Sequence, residues 1–272
     1  MTAIGRVTLL TNPMAGHGNA PHAAERAVAH GTDAFVVAGG DGVIALALQS
    51  LAQTAIPLGI IPAGTGNDHA REYGLPVGDP AAAVDVIIAG HTETIDLGHI
   101  RGADGTGTWF GTIAATGFDS LVSDRVNRMR WPHGRMRYNL AIVAELSQLR
   151  PLRFRLVLDG EREIITELTL AAFGNTRSYG GGMLICPKAD HADGLLEITM
   201  VRSGSRLKLV RLFPTIFKGT HVELDEVTTA RARNIWVESP GINAYADGEY
   251  ACPLPAEISA MPGALKILRP AT

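Results

Sequence analysis

The chain has 272 residues, of which 46% are hydrophobic, and a net charge of −3 at pH 7. This length allows two domains or one large one, and the apolar content is enough for a sizeable core. The slightly acidic balance excludes a global positive field, so we expect no nucleic-acid partner.

The sequence contains no membrane-spanning or secretory signal. No apolar run reaches the roughly 18 residues that a spanning helix needs, and the first ten residues lack a signal-peptide pattern. Cys186 and Cys252 are the two cysteines. So few cysteines in a chain of this length are typical of a reducing compartment, which predicts a cytoplasmic protein.

The first part of the chain alternates predicted strands with predicted helices. Strands are predicted at 6–11, 34–37 and 56–61, and helices at 21–30, 43–52, 68–73 and 80–89. This alternation is typical of a parallel sheet covered by helices. We therefore predict an α/β fold that begins with a parallel-sheet domain, residues 1–95.

The rest of the chain is richer in predicted strands. These lie at 109–114, 153–158, 164–173, 195–201, 235–238 and 243–246, with helices at 138–148 and 207–217. Asp159-Gly160 is a hairpin signal between two of the strands. We predict a mostly antiparallel β-sandwich domain at 96–262, with a last strand at 265–268 that brings residues 263–272 back to the first domain.

Two glycine-rich turns follow neighbouring strands. The first is Gly39-Gly40-Asp41-Gly42, and the second is Pro62-Ala63-Gly64-Thr65-Gly66-Asn67-Asp68. Ligands of open α/β sheets bind at the carboxyl edge of the strands, and glycine lets backbone N–H groups approach a phosphate closely. Asp41 and Asp68 supply oxygen ligands suited to Mg²⁺. The two turns together predict a site for a nucleotide and a metal ion.

The same residues resemble the diacylglycerol kinase catalytic family. The resemblance extends over nearly the whole chain, through Asn12-Pro13-Met14-Ala15-Gly16, Ile95-Asp96-Leu97-Gly98, Gly117-Phe118-Asp119, Asp193-Gly194-Leu195-Leu196-Glu197 and Asp247-Gly248-Glu249. Gly-Gly-Asp-Gly alone is shared with NAD kinases and phosphofructokinases. The Gly-Thr-Gly-Asn-Asp element and the late Asp-Gly-Glu make the match to lipid kinases more specific.

The resemblance implies roles for individual residues, with ATP and Mg²⁺ bound. Nucleotide contacts fall on Asn12, Pro13, Met14, Ala15, Gly16, Gly39, Gly40, Asp41, Gly42, Gly64, Thr65, Gly66 and Asn67. Asp41, Asp68 and Asp96 correspond to an acidic triad near the catalytic Mg²⁺. The side chain of Asp193 and the backbone carbonyls of Asp190 and Leu195 correspond to a structural Mg²⁺ loop. Asp247 is the first choice for the general base and Glu249 the second.

Two features depart from the family pattern. Val43 stands where the family has threonine, so the first turn lacks one hydroxyl. Asn12 and Gly39 are only 27 positions apart, whereas the family places a further strand and a flanking helix between these motifs. Either one strand–helix element is missing from this protein, or a disordered stretch between the two motifs is absent from the given sequence.

These observations predict an ATP-dependent lipid kinase that phosphorylates diacylglycerol or a similar lipid alcohol in phospholipid metabolism. A kinase of a soluble substrate such as NAD, and a catalytically weak lipid-binding regulatory protein, are the alternatives. Five arginines near Trp131, at 125, 128, 130, 135 and 137, suit transient contact with an anionic membrane surface. A solvated face or a homodimer contact is the commoner explanation of such a cluster.

Overall fold

Residues 5–11, 20–129, 151–202 and 206–271 are described by the structure, a computed structural model. The first strands are β1 (Val7–Thr11), β2 (Ala34–Gly39) and β3 (Leu58–Pro62), and they pair in parallel in that order. The helices are α1 (Ala20–His30), α2 (Asp41–Leu51), α3 (Asp68–Glu72) and α4 (Pro80–Ala89).

Buried side chains of the strands and of α2 fix the position of this helix on the sheet. Phe35, Leu58 and Ile60 of the strands share one core with Ile44 and Leu48 of α2. Because α2 begins directly after β2, its N-terminus is held at the carboxyl edge of the sheet. That edge is also where the two glycine-rich turns lie.

The remainder of the chain is mainly antiparallel. Its strands are β4 (Thr92–Gly102), β5 (Gly107–Phe110), β6 (Ile113–Gly117), β7 (Leu152–Leu158), β8 (Arg162–Gly174), β9 (Leu196–Arg202), β10 (Val227–Ala232), β11 (Asn234–Glu238), β12 (Asn243–Ala246), β13 (Glu249–Pro253) and β14 (Ala256–Leu268). Helices α5 (Phe118–Arg128) and α6 (Arg206–Ile216) and the 3-10 helix Thr220–Glu223 accompany them.

Strand β14 connects the two kinds of sheet. It pairs antiparallel with β4 and β11, and near its end Ile267 lies in parallel register with Leu58 of β3. The main strand order is β1-β2-β3-β14-β11-β7-β8-β6-β12-β13. The predicted fold class, α/β with a parallel N-terminal sheet and a mostly antiparallel C-terminal β-sandwich, is confirmed.

Several elements differ from the sequence prediction. The single strand predicted at 109–114 is two strands, β5 and β6, because the N–H groups of Gly111 and Thr112 bond a distant carboxylate instead of a ladder partner. Strands β4, β10 and β13 and helix α5 were not predicted. The hairpin at Asp159-Gly160 is present, with φ of 51° and 73°.

The predicted helix at 138–148 lies outside the described residues. Within the described ranges, no helix combines the length and the apolar character needed to cross a membrane.

Candidate active site

The two glycine-rich turns lie side by side at the carboxyl edge of the parallel strands. Gly39 and Pro62 are register partners. A Cβ on Gly64 would stand 2.5 Å from the Cα of Gly40, so the backbones touch at a distance that excludes any larger residue. The Asn67 amide closes the second turn, since its Oδ1 accepts from the N–H of Gly64 and its Nδ2 donates to the Gly64 carbonyl.

Asp41 is the first residue of α2 and faces the space between the turns. Its Oδ1 accepts from the backbone N–H of His69 at 3.3 Å and contacts His69 Nδ1 at 3.1 Å. Its Oδ2 is 2.6 Å from the position that a Cβ on Gly66 would take. Burial acts to raise the pKa of Asp41, but the hydrogen bond and charge of His69 outweigh it, and the pKa falls below its usual value.

Asp247 lies in the β12–β13 hairpin and accepts three hydrogen bonds from the protein. Its Oδ2 accepts from the N–H of Gly111 at 2.8 Å, and its Oδ1 accepts from the N–H and the hydroxyl of Thr112 at 2.8 and 2.5 Å. The side chain is 1% exposed. These contacts hold the hairpin against the β5–β6 connection.

Glu249 is the more open of the two predicted bases. It is exposed, and its Oε1 lies 3.8 Å from the position that a Cβ on Gly42 would take. The carboxylate therefore lies near the first turn of α2, at Gly42. The hairpin brings the late Asp-Gly-Glu motif to the glycine-rich turns, as the general-base prediction requires.

His69 is a site residue that the sequence analysis missed. It is 1% exposed, and it contacts Asp41 through Nδ1 and lies 3.7 Å from Asp247 through Nε2. Burial acts to lower the pKa of His69, but the Asp41 hydrogen bond and the Asp247 charge raise it above its usual value. In the sequence, the feature that could have identified His69 is its position directly after the Asn67-Asp68 motif.

Asp68, a predicted metal ligand, is hydrogen-bonded by a second loop of the protein. Its Oδ1 accepts from Ser178 Oγ at 3.1 Å and the N–H of Gly182 at 2.8 Å, and its Oδ2 accepts from the N–H of Gly181 at 2.7 Å. The residue is 4% exposed, and Arg71 pairs with it. Asp68 thus anchors the glycine run 180–182, a sequence signal that was overlooked, instead of presenting a free carboxylate to a metal ion.

Asp96 is likewise an anchoring residue. Its Oδ2 accepts from the N–H of Gly194 at 2.7 Å, and its Oδ1 accepts from the N–H of Gly263 at 2.8 Å. Asp96 is 4% exposed. It joins β4 to two remote turns, and the predicted acidic triad of Asp41, Asp68 and Asp96 is not formed as a shared set of free ligands.

The predicted structural Mg²⁺ loop is closed by protein groups. Asp190 Oδ1 accepts from the N–H of Ala192 and Asp193 Oδ1 accepts from the N–H of Leu195, both at 3.0 Å. Asp193 Oδ2 forms an ion pair with Arg231. A guanidinium therefore neutralises the one carboxylate that the prediction gave to the metal, and this loop does not fit a bound cation.

Asp41 fits a metal ion carried by a nucleotide. Mg²⁺ keeps several waters and needs one or two carboxylates in addition to phosphate oxygens, and Asp41 Oδ2 is turned to the gap between the turns. Among the described residues, no three His, Cys, Asp or Glu side chains form a metal-binding group. The predicted phosphate-binding residues Asn12, Pro13, Met14, Ala15 and Gly16 lie outside the described residues.

A cavity of about 310 Å³ lies away from the turns. It is lined by Gln53, His99, Arg101 and Trp109, and by Glu257, Ser259 and Met261 of β14. Gln53 follows the C-terminal end of α2, whereas Asp41 is at its N-terminal end, and an 11-residue helix is about 16 Å long. The cavity is therefore not part of the candidate active site.

Two family models match the chain. Residues 6–100 match the diacylglycerol kinase catalytic domain, and residues 112–269 match the YegS C-terminal NAD kinase beta sandwich-like domain. The chain belongs to the diacylglycerol kinase family. The match accounts for both the parallel first part, with the two turns, and the antiparallel part, with the Asp247–Glu249 hairpin.

A curated relative agrees with this membership. A diacylglycerol kinase from Mycobacterium tuberculosis (strain H37Rv) is 64% identical, over 98% of this chain and 96% of the relative. That alignment runs over 296 positions against 272 residues here, so at least 24 positions have no counterpart in this chain. The short spacing between Asn12 and Gly39 is where we expect the missing positions.

Solved structures share the fold. A diacylglycerol kinase from Bacillus anthracis has a TM-score of 0.72 at 20% identity, covering 99% of this chain and 98% of that one. An NAD kinase from Archaeoglobus fulgidus in complex with ATP has a TM-score of 0.53 at 13% identity, covering 97% and 94%. Both similarities concern the fold alone.

Proposed function

We propose that this family member is an ATP-dependent lipid kinase that phosphorylates diacylglycerol, or a similar lipid alcohol, to give phosphatidic acid. The observation that carries the proposal is the approach of Glu249 to Gly42, where the two glycine-rich turns touch. The 64% identical relative named as a diacylglycerol kinase supports the choice of acceptor.

In the proposed reaction, Glu249 acts on the acceptor hydroxyl, and the glycine-rich turns bind the phosphates of ATP. The acceptor hydroxyl transfers its proton to the Glu249 carboxylate as its oxygen attacks the γ-phosphorus of ATP. The bond from that phosphorus to the bridging oxygen breaks, and ADP leaves. A base must lie within hydrogen-bond reach of the hydroxyl, and Glu249 is free of the bonds that occupy Asp247.

The N–H groups of the turns and the first turn of α2 suit the nucleotide phosphates, because a helix N-terminus carries partial positive charge. Thr65 is exposed on the second turn and is placed to contact the nucleotide. Asp41 would hold Mg²⁺, which neutralises the charge of the transferring phosphate. His69 orients Asp41 through two bonds.

The acceptor dictates where the protein works. Diacylglycerol stays in the bilayer, so we propose a cytoplasmic protein that contacts the inner face of the membrane transiently. Phosphatidic acid formed there would enter phospholipid synthesis.

The test is transfer of labelled γ-phosphate from ATP across a panel of diacylglycerol, ceramide, sphingosine and phosphatidylglycerol in mixed micelles, with NAD as a soluble acceptor. We expect label in phosphatidic acid and none in NADP. Labelled NADP without lipid product would establish the soluble-substrate alternative. Binding of lipid without any transfer would establish the regulatory one.

A further inference from the structure

Helix α6 and the turn after it present two aromatic rings to solvent. Phe213 and Phe217 are 46% and 47% exposed, and their ring centroids lie 5.6 Å apart in an edge-to-face pair. The opposite side of the helix faces inward. There Leu212 and Ile216 are buried in a core that includes Ile113. Paired aromatics that support no core are typical of a contact surface.

The same segment is strongly basic. From Arg202 to His221 the chain carries Arg202, Arg206, Lys208, Arg211 and Lys218 and no Asp or Glu, in a protein whose net charge is −3. Arg211 and Lys218 are exposed in this segment. We call Arg211, Phe213, Phe217 and Lys218 the α6 surface. Exposed aromatics beside basic residues on a helix complement the headgroups and acyl boundary of an anionic bilayer.

The α6 surface is connected to the candidate active site by short contacts. The carbonyl of Ile216 accepts from the N–H of Leu184 at 3.1 Å. Leu184 follows the glycine run 180–182, whose N–H groups hold Asp68. Ile113 follows Thr112, which holds Asp247. Helix α6 therefore packs against the same segments that hold Asp68 and Asp247 in the candidate active site.

We propose that the α6 surface docks the protein on a bilayer of anionic phospholipid. The biological purpose of this docking rests on the proposed function, since a kinase of a bilayer-resident alcohol must work at that surface. The exposure of the two rings and the charge of the segment do not depend on that function. The arginines near Trp131 are the competing surface, and a second copy of the chain is the competing occupant.

The experiment is co-sedimentation of the full chain, without ATP, with vesicles of phosphatidylcholine alone or mixed equally with phosphatidylglycerol. Two double variants test the surface: F213S with F217S, and R211E with K218E. The matched controls are I88S, a 73% exposed isoleucine of α4, and R162E with K266E, which makes the same change of net charge at exposed positions.

We expect wild type and both controls to bind the mixed vesicles and not phosphatidylcholine alone. Each α6 variant should bind about tenfold more weakly or worse. One variant reverses the charge of two basic residues at an anionic surface, and the other removes the apolar side chains that would enter the acyl boundary. Melting curves check that the variants are folded. Transfer to a dissolved short-chain diacylglycerol should match wild type, which separates loss of docking from failure of the proposed function.

Three results would overturn the docking proposal. The first is wild type that fails to bind the mixed vesicles. The second is α6 variants that bind like the controls while R125E releases the protein. The third is a change of oligomeric state in F213S with F217S, measured by light scattering, without any change in vesicle binding.

Discussion

At the residue scale, two carboxylates of one hairpin have different environments. Asp247 has φ of 49° and accepts three hydrogen bonds, so its position is fixed by the protein. Glu249 is exposed beside Gly42. A buried carboxylate that is bonded by backbone N–H groups of the protein stabilises the fold. An exposed carboxylate beside the glycine-rich turns is able to accept a proton from a substrate.

We expect Glu249→Gln to lower kcat at least about 100-fold with an unchanged melting temperature, since general-base catalysis contributes about 10²–10⁴. Asp247→Asn should instead lower the unfolding free energy by about 1–3 kcal/mol, because an amide N–H₂ would face N–H donors. Steady-state kinetics and urea unfolding measure the two effects. A wild-type kcat for Glu249→Gln, with an inactive but fully stable Asp247→Asn, would reverse the assignment.

His69 should matter through the position of Asp41. Replacing it with Phe removes the Nδ1 contact and leaves the backbone N–H bond, so we expect kcat at saturating Mg²⁺ to fall about 10- to 100-fold, as for groups that orient a metal ligand. Gln should restore part of the loss, because it can still bond Asp41. The exposed His30→Phe is the control. Equal kcat in His69→Phe and wild type would exclude this orienting role.

At the element scale, secondary structure was predictable where the pattern is local. Helix 80–89 is a case: Asp79 caps it through Ala82, Pro80 stands at its first turn, and Gly90 ends it with φ of 68°. The break between β5 and β6 was not predictable, since it is imposed by Asp247, 135 residues away from Thr112. Strand β10 pairs with β9, and the β-branched residues 227–229 at its start were a local strand signal that the prediction did not use.

The loop from Asp190 to Leu195 makes a prediction about metal. Because Arg231 already pairs with Asp193, we expect the melting temperature of wild type to be the same with Mg²⁺ and with chelator, in the absence of nucleotide. Asp193→Ala should lower stability by about 1 kcal/mol or less, as for partly exposed ion pairs. Arg231→Ala should have a similar effect.

A double-variant cycle of Asp193→Ala with Arg231→Ala then measures the coupling directly. A Mg²⁺-dependent rise in the wild-type melting temperature that disappears in Asp193→Ala would favour the structural metal that the resemblance implied.

At the scale of the whole molecule, a few buried carboxylates join distant parts of the chain. Asp96 binds the N–H groups of Gly194 and Gly263. Glu72 of α3, with its side chain 6% exposed, accepts from Arg177 at 3.2 Å and lies 3.6 Å from His191. These contacts attach the parallel first part to the antiparallel remainder and so hold the two halves of the site together.

The Glu72 contact predicts a pH dependence of stability. Burial acts to raise the pKa of Glu72, but the bonds and charges of His191 and Arg177 outweigh it and hold the pKa below its usual 4.5. The folded state therefore favours the charged form, and its stabilisation is present above pH 4.5 and lost as the pH falls through the lowered value. Wild type should melt above Glu72→Gln at pH 7, and the difference should shrink below pH 4.5. If the difference in melting temperature between wild type and Glu72→Gln grew as the pH was lowered, the prediction would be wrong.

The sequence by itself determined the alternation of strands and helices, the two glycine-rich turns and the family, because each is written in neighbouring residues. Only the tertiary structure decided which acidic residues are free. Asp68, Asp96 and Asp247 are bonded by groups 98 to 167 positions away, and Glu249 comes over Gly42 through the pairing of β12 with β6. Whether a carboxylate binds a ligand or the protein depends on which donors reach it, and those donors are set by folding and not by local sequence.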